Sequence, residues 1–586
     1  MSCSRGMTLF LVIAIARAAA AQELKPEDVL GHDLDLSVQQ AVQLGLENSL
    51  NLQIIRNDPA LARERVREAE GVWDPTLNGT FLQNHSETPV ASSLQAFFGT
   101  VGDRTEDNSK NYGTSLNGIL PYGASYTSGY VFQDLSSTSG LTSLKPQYTA
   151  AWASAFTLPL LRDLYWGTPD YLVRRSRLDQ KISDENFRSL LEDGVLRVET
   201  AYWDLSGFRA LEVATQQALD TAHELLDQTQ VQYQVGTVSK VLVTQAEATL
   251  AQRESEHITA LNNVRRAQDN LLTVILAPDI NDYANTNIRT HDPDFVEYQV
   301  DVNAAVEKAR VNRPELSTAA MQVEQADMAE KWSWNQKLPL LNLGATYTMN
   351  GLSGSQKTKP GVVLFGPTRL NNTLGITGQP QPGLSINPVT SALNPGLDTI
   401  PGTADDFYSG TQVPVQNQPD FGFGRTPAAA NSSFFDGHGF HSWSVGATFS
   451  YPIPNDTADA RYVQRKIELR RAKTVYSRTS QDVVLDVRSA VRELQSNIDA
   501  VKAAQRQRVA SEEALRAEQE RLRLGDSTPH NVSLFQDDFL SAQGREITAL
   551  RNYRVAISAL ERAQGTLLES RGISVEQERD RGMDQY

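Results

Sequence analysis

Cysteine is nearly absent: the 586 residues hold one, Cys3. No disulfide framework and no cysteine metal site is available to the rest of the chain. Beyond the first two dozen positions no run of 18 or more apolar residues occurs, which excludes a helix crossing a bilayer by its hydrophobicity. A basic excess is also missing. Lys and Arg number 54 against 70 Asp and Glu, giving a net charge of −16 with the two signs interspersed. Nucleic acid, whose phosphates require a basic face, is therefore not an expected partner. Catalytic signatures are lacking too: no P-loop, dinucleotide glycine pattern, nucleophile elbow or HExxH is present. Neither an enzyme nor a cofactor is expected. The one close histidine pair, His438 and His441, precedes a strand in a glycine-rich loop. Asp398, Asp405 and Asp406 stand near Gly402 without calcium-loop spacing. Both groups read as solvated loop residues, with metal binding as the alternative.

What is present begins with Arg5, an apolar stretch from Met7 to Ala16, and Ala19-Ala20-Ala21 before Gln22. That is the layout of a secretory signal cleaved near Ala21; the other reading is a short buried helix. Next, Ser37 is placed to cap a helix bearing Val38, Ala41, Val42 and Leu46 on one face.

The chain is duplicated. From about Asp170 to Leu276 runs a long polar helical hairpin bent at 234–239. Read 289 positions downstream it returns with its bend at 524–529. Gly236 falls on Gly525, and Val195, Leu196, Val198, Ala201 and Leu205 fall on Val484, Leu485, Val487, Ala490 and Leu494. At an offset of 264, Ala41, Val42, Asn48, Leu52, Pro75 and Leu77 fall on Ala305, Val306, Asn312, Leu316, Pro339 and Leu341. Each copy therefore reads helix, strand region, long helix, turn, long helix, and self-similarity at this scale governs the fold. The seams Val195, Val198, Tyr202, Leu205, Phe208 and Val487, Val491, Leu494, Ile498, Val501 step by three and four. Helices with so narrow a stripe pack on few neighbours. At the bends, Gly236 and Gly525 suit the left-handed position that ends a helix. Ser239 and Thr528 suit the next N-cap, and Pro529 the first helical position.

Strands are signalled by alternation: Leu341 to Met349, Trp443 to Tyr451, Tyr122 to Phe132 and Tyr148 to Leu158, with weaker candidates from Thr76 and Tyr112. Each is about ten residues with one apolar and one small polar face, as in a tilted bilayer-crossing strand, although a half-exposed soluble sheet has the same pattern. Aromatics cluster in these regions, among them Tyr126, Tyr130, Trp152, Trp166 and Phe449, as in an interface belt. Polar connections are expected over 86–111 and 351–439, the second too long for a compact soluble domain. Carboxylates near the bends, Asp526, Asp537, Asp538 and Glu247, could line a cation-favouring mouth or be ordinary helix-end charges.

The duplicated unit resembles the TolC-type outer-membrane efflux proteins. The similarity lies in 36–48, in Phe156-Thr157-Leu158-Pro159-Leu160-Leu161-Arg162, in Tyr451-Pro452-Ile453 and in the tip from Gly236 to Ala246, and it spans nearly the whole mature chain. The resemblance implies a mixed α and β membrane protein: duplicated coiled-coil hairpins plus strands of a trimeric transmembrane β-barrel. It implies a homotrimer in the outer membrane of a Gram-negative bacterium, helices in the periplasm, and partners in a periplasmic adaptor and an inner-membrane transporter. In the family each subunit gives four strands, so the segment from Tyr112 to Phe132 is expected to hold an extra hairpin or rim without changing that count. Segmentation then follows as signal peptide 1–21, N-terminal helix 22–74, strands and loop 75–160, first hairpin 161–276, linker and opening helix 277–338, strands and long loop 339–455, second hairpin 456–570, and tail 571–586. Gly236, Ser239, Gly525, Asp526, Thr528 and Pro529 become the entrance and adaptor-docking tips. Tyr233, Leu242, Gln245, Asn531, Leu534, Asp537 and Asp538 become candidate entrance lining. Where family members carry aspartates six and nine residues after the second tip glycine, this chain has Asn531 and Leu534. The family's tyrosine before that glycine is Leu522 here, with Tyr233 holding the corresponding place in the first copy. The expected function is an efflux exit duct for small molecules. A type I protein-secretion duct and a poreless periplasmic scaffold are the alternatives.

Overall fold

The computed structural model describes residues 33–90, 103–139, 142, 144–275, 287–291, 294–356, 393–394, 407–408, 424–434 and 440–581. The signal sequence with Cys3, the aspartates of 398–406 and His438 lie outside the described residues. Among those described, no helix is long and apolar enough to cross a membrane. The chain divides into two units, one of residues up to 69, 171–333 and from 460 onward, the other of 70–170 and 334–459.

The first unit is helical and built twice. Strand β1 (Asp33–Leu36) leads into α1 (Val38–Asn48) and α2 (Leu50–Glu70); α3 (Thr168–Gln234) and α4 (Lys240–Ile275) form the first hairpin. The Ser37 side chain accepts from the Gln40 amide while the Gln40 side chain returns to the Ser37 amide, a complete capping box. Strand β6 (Asn287–Thr290) pairs in parallel with β1, and four residues are too few to carry an alternation signal. Then α5 (Val302–Asn312) and α6 (Pro314–Asn335) mirror α1 and α2, and further along the chain α8 (Asp456–Arg523) and α9 (Pro529–Gln564) form the second hairpin. Helices α3 and α8 have 67 and 68 residues, roughly 100 Å each at 1.5 Å per residue.

Each repeat buries its own seam. Leu191, Val195, Val198, Tyr202 and Leu205 of α3 pack with Ala41, Val42 and Leu44 of α1 and with Leu271, Leu272 and Ile275 of α4. Val487, Val491, Leu494, Ile498 and Val501 of α8 pack with Ala305 and Ala309 of α5 and with Tyr553, Ala556 and Leu560 of α9. Phe208, expected in the first seam, is 37% exposed. The first core cluster takes no residue of α3 beyond Leu205, and burial resumes further along the helix at Ala214, Ala222 and Leu225.

The second unit is a six-stranded antiparallel sheet: β2 (Thr76–Pro89), β3 (Arg104–Ile119), β4 (Ser125–Ser137), β5 (Leu144–Pro159), β7 (Leu340–Gln356) and β8 (Phe440–Ser450), in the order β8-β7-β5-β4-β3-β2. The segment expected to hold an extra hairpin or rim forms two full strands of this sheet. All six candidates pair in one sheet, with β3 and β4 hydrogen-bonded between β2 and β5 along their length. The expected connections were also too long, since residues 86–89, 104–111 and 351–356 are strand. Ladder hydrogen bonds are made by backbone and extend past the last apolar side chain, so polar strand ends carry no alternation signal. In the described part of 351–439, α7 (Pro427–Ser432) lies against β5 and β7, where Ala430 and Phe434 meet Ala150.

Candidate functional site

The hairpin bends close identically. Gly236 (φ +78°) donates to the Tyr233 carbonyl at 3.0 Å and Thr237 to Gln232 at 3.0 Å; Gly525 (φ +82°) donates to Leu522 at 3.0 Å and Asp526 to Arg521 at 2.9 Å. These bond pairs define a left-handed helix stop that satisfies the last carbonyls of α3 and α8. Thr528 caps α9 by accepting from the Asn531 amide, and Pro529 opens that helix. Tyr233 and Leu522, equivalent in the repeat, thus do equivalent backbone work.

Around the bends, Val235, Val241, Tyr233 and Leu524 are exposed at 69, 65, 45 and 73%. Leu534 is 49% exposed, Gln245, Ser239, Glu247, Asn531 and Asp538 are exposed, and Leu242 is half-buried. Not every predicted lining residue is free. Asp537 is ion-paired to Arg253 of α4, whose side chain is almost fully buried and also holds Glu256 at 2.6 Å. Asp526 is held by Arg521 at 3.3 Å, and Arg521 donates to the buried Glu518 at 3.1 Å, which also accepts from Ser527. Sequence reasoning missed Arg253, Glu518 and Arg521. Each sits in a highly charged stretch where spacing does not reveal which ion is buried.

Further along, the two repeats are joined to each other. Arg562 of α9 donates to Asp193 of α3 at 2.8 Å, Arg551 pairs with Asp204, and Ser558 and Arg571 both reach Glu199.

In the sheet, residues opposite one another across each ladder share a face. One face carries Leu77, Phe81, Tyr112, Leu116, Tyr126, Tyr130, Phe132, Tyr148, Trp152, Phe156, Leu343, Tyr347, Trp443, Val445 and Phe449. Phe81, Tyr112, Phe132 and Tyr148 form a row of ring contacts across four strands, with centroids 5.1, 6.2 and 6.1 Å apart. The opposite face presents Asn78, Gly113, Ser115, Gly129, Ala151, Ala153, Thr348, Ser442, Ser444 and Gly446. Aromatic-apolar on one side and small-polar on the other is the division a bilayer-crossing barrel wall requires. His441 falls at the end of the apolar face, 3.2 Å from the Tyr347 hydroxyl. Among the described residues, no group of histidine, aspartate and glutamate is arranged to hold a metal.

A duplicated helical hairpin unit and a two-faced antiparallel sheet in one chain define an outer-membrane channel of the efflux type. The chain belongs to the outer membrane efflux protein family, whose sequence model matches residues 137–275 and 418–566, one segment in each repeat. Family membership places it in the outer membrane. No curated protein matches at the sequence level. Among solved structures, the Campylobacter jejuni outer membrane channel CmeC is similar over 93% of this chain and 89% of its own at 14% identity, with a TM-score of 0.59. The open state of the Neisseria gonorrhoeae channel MtrE covers 93% and 94% at 16% identity with 0.56. The Vibrio cholerae outer membrane protein VceC covers 90% and 96% at 13% identity with 0.55.

Proposed function

We propose that the chain is the exit duct of a tripartite efflux system: a homotrimer whose sheets close one barrel in the outer membrane and whose hairpins reach through the periplasm toward an adaptor and an inner-membrane transporter. The observation that carries this reading is the sheet. Its edge strands β2 and β8 have no further strand beside them among the described residues, and open edges are not tolerated in hydrocarbon. Further copies must therefore complete the wall. The bends add a docking surface, since Val235, Val241 and Leu524 expose apolar side chains around the glycine turns. Adaptor contact would cover them.

Passive conduction follows from the same features: the small-polar sheet face offers a wetted wall. Asn531 and Leu534 replace the acidic pair the family resemblance led us to expect, and Asp537 is neutralised by Arg253. On this reading the entrance is narrowed by size and apolarity rather than by a carboxylate ring. A poreless scaffold would have no use for a sheet with an aromatic-apolar face. The test is heat-modifiable oligomers in outer-membrane fractions, single-channel conductance in planar bilayers, and crosslinking from the bends to find which inner-membrane transporter co-purifies. A soluble, non-conducting protein would overturn the proposal.

A further inference from the structure

We infer that β3 and β4 are additional membrane-crossing wall, so that each copy contributes six strands and three copies close an eighteen-stranded barrel with a wide exit. This rests on the trimeric duct reading above.

Three observations carry it. The hairpin is interior to the sheet: β3 pairs with β2 from Thr76↔Asn117 to Pro89↔Arg104, and β4 with β5 from Ser125↔Thr157 to Leu135↔Gln147. Removing it would leave β2 with no neighbour and β5 paired to β7 alone, so it is not a rim laid over a four-stranded wall. Both strands are long enough to cross, at 16 and 13 residues where about 9–11 suffice. Their faces are also in phase with the rest. Tyr112, Leu116, Tyr126, Tyr130 and Phe132 continue the apolar face of β2 and β5, and the Phe81 to Tyr148 ring row passes through both strands.

The turn at the far end of this hairpin is fixed. Tyr122 (φ +75°) and Gly123 (φ +85°) take left-handed conformations, the Tyr122 amide donates to Asp170 at 3.1 Å, and its ring meets Tyr165 edge-on at 4.9 Å. At Gly123 the Asp163 carbonyl leaves no room for a Cβ.

Strand number sets bore. With strands about 4.8 Å apart and tilted by about 40°, eighteen give a backbone diameter of roughly 36 Å, against roughly 24 Å for twelve. The inward side chains are short, with Gly113, Ser115, Gly129, Ala153, Ser444 and Gly446 among them, so little of that width is refilled. Large hydrated solutes would then meet no size barrier in the outer membrane, and selection by size would fall to the hairpin entrance.

The test uses full-length protein reconstituted in lipid vesicles in a Cys3→Ser background. Nitroxide labels are placed at single cysteines by Leu116→Cys and Ser115→Cys on β3, Tyr130→Cys and Val131→Cys on β4, and Phe156→Cys and Ala155→Cys on β5. Collision with oxygen relative to a water-soluble nickel chelate should be several-fold higher at positions 116, 130 and 156 than at 115, 131 and 155. The detergent-extracted complex should have the mass of three chains. Nickel access at both positions on β3 and β4, with alternation kept on β5, would overturn the eighteen-stranded barrel and leave the duct reading standing. Nickel access at all six would overturn the duct itself. Full alternation with a mass other than three chains would overturn the strand number.

Discussion

Tyr202 and Tyr553 perform the same task in the two repeats. Each is a fully buried tyrosine whose hydroxyl accepts a backbone amide and donates to a backbone carbonyl. Tyr202 takes the His291 amide at 3.0 Å and gives to Leu36 at 2.9 Å; Tyr553 takes the Tyr298 amide at 3.2 Å and gives to Val296. Both fasten the segment that links one repeat to the next. Tyr202→Phe and Tyr553→Phe each strand two backbone groups and should lower unfolding stability by about 1–3 kcal/mol. Chemical denaturation of the single variants is the check, and a loss under a few tenths would show the linker finds other partners.

Glu192 lies inside the helical unit with its side chain 2% exposed and Arg188 at 3.7 Å. Burial pushes its carboxyl up to about 7, with Arg188 opposing and Glu315 adding to the shift. Because the folded value lies above the unfolded one, the native state binds the extra proton. This group's contribution is therefore fully present below about pH 4.5 and lost as pH rises through about 7. Glu192→Gln should leave stability little changed in acid and raise it at pH 8 by on the order of 3 kcal/mol. A difference curve flat from pH 4.5 to 8 would refute the shift.

At Gly236 and Gly525 nothing stands within 4 Å of where a Cβ would be, so a side chain meets no clash, only an unfavourable backbone. Gly→Val at either bend should cost about 1–2 kcal/mol, Gly→Asn less, and adaptor crosslinking or conductance should fall in that order. Gly79→Val is the control, since that strand glycine lies on the aromatic-apolar face, is equally open and its φ is not positive. The 351–439 segment as a whole is not a neutral comparison. At Gly351 the Ala430 carbonyl and Ser433 hydroxyl leave no space for a Cβ.

The Arg253 to Asp537 ion pair joins α4 to α9 near the bends. Asp537→Ala removes the cross-helix partner of a buried guanidinium, with Glu256 remaining on its own helix. A double-mutant cycle with Arg253→Ala should return a coupling of about 1–3 kcal/mol. Additive single effects would mean the two helices are held by packing alone.

Much of this was legible in the sequence because duplication repeats its own evidence. The Gly236 and Gly525 bends, the Ser37 and Thr528 caps, and the Val487 to Val501 seam each follow from local chemistry that one stretch of chain contains. What stayed hidden needed partners far away in sequence. The strand ends at Glu87 and Glu106 are polar and held by backbone pairing, and the β1–β6 pair joins residues some 250 apart. The place of β3 and β4 in the wall could not be read from their own alternation, which specifies a face but not a neighbour. At the entrance, nothing in the spacing of Asp537 distinguished it from Asp538, yet only Asp537 meets Arg253.

The sheet order also carries a rule of parity. Every neighbouring pair in it is antiparallel, so with six strands the first edge, β2, and the last, β8, point in opposite directions. When one copy meets the next, β2 of one can therefore join β8 of the other as an ordinary antiparallel neighbour. One inserted strand would set like-directed edges against each other at all three seams; a hairpin leaves every seam as it was. A ring of this kind can widen without redesigning its joints, but only two strands per copy at a time.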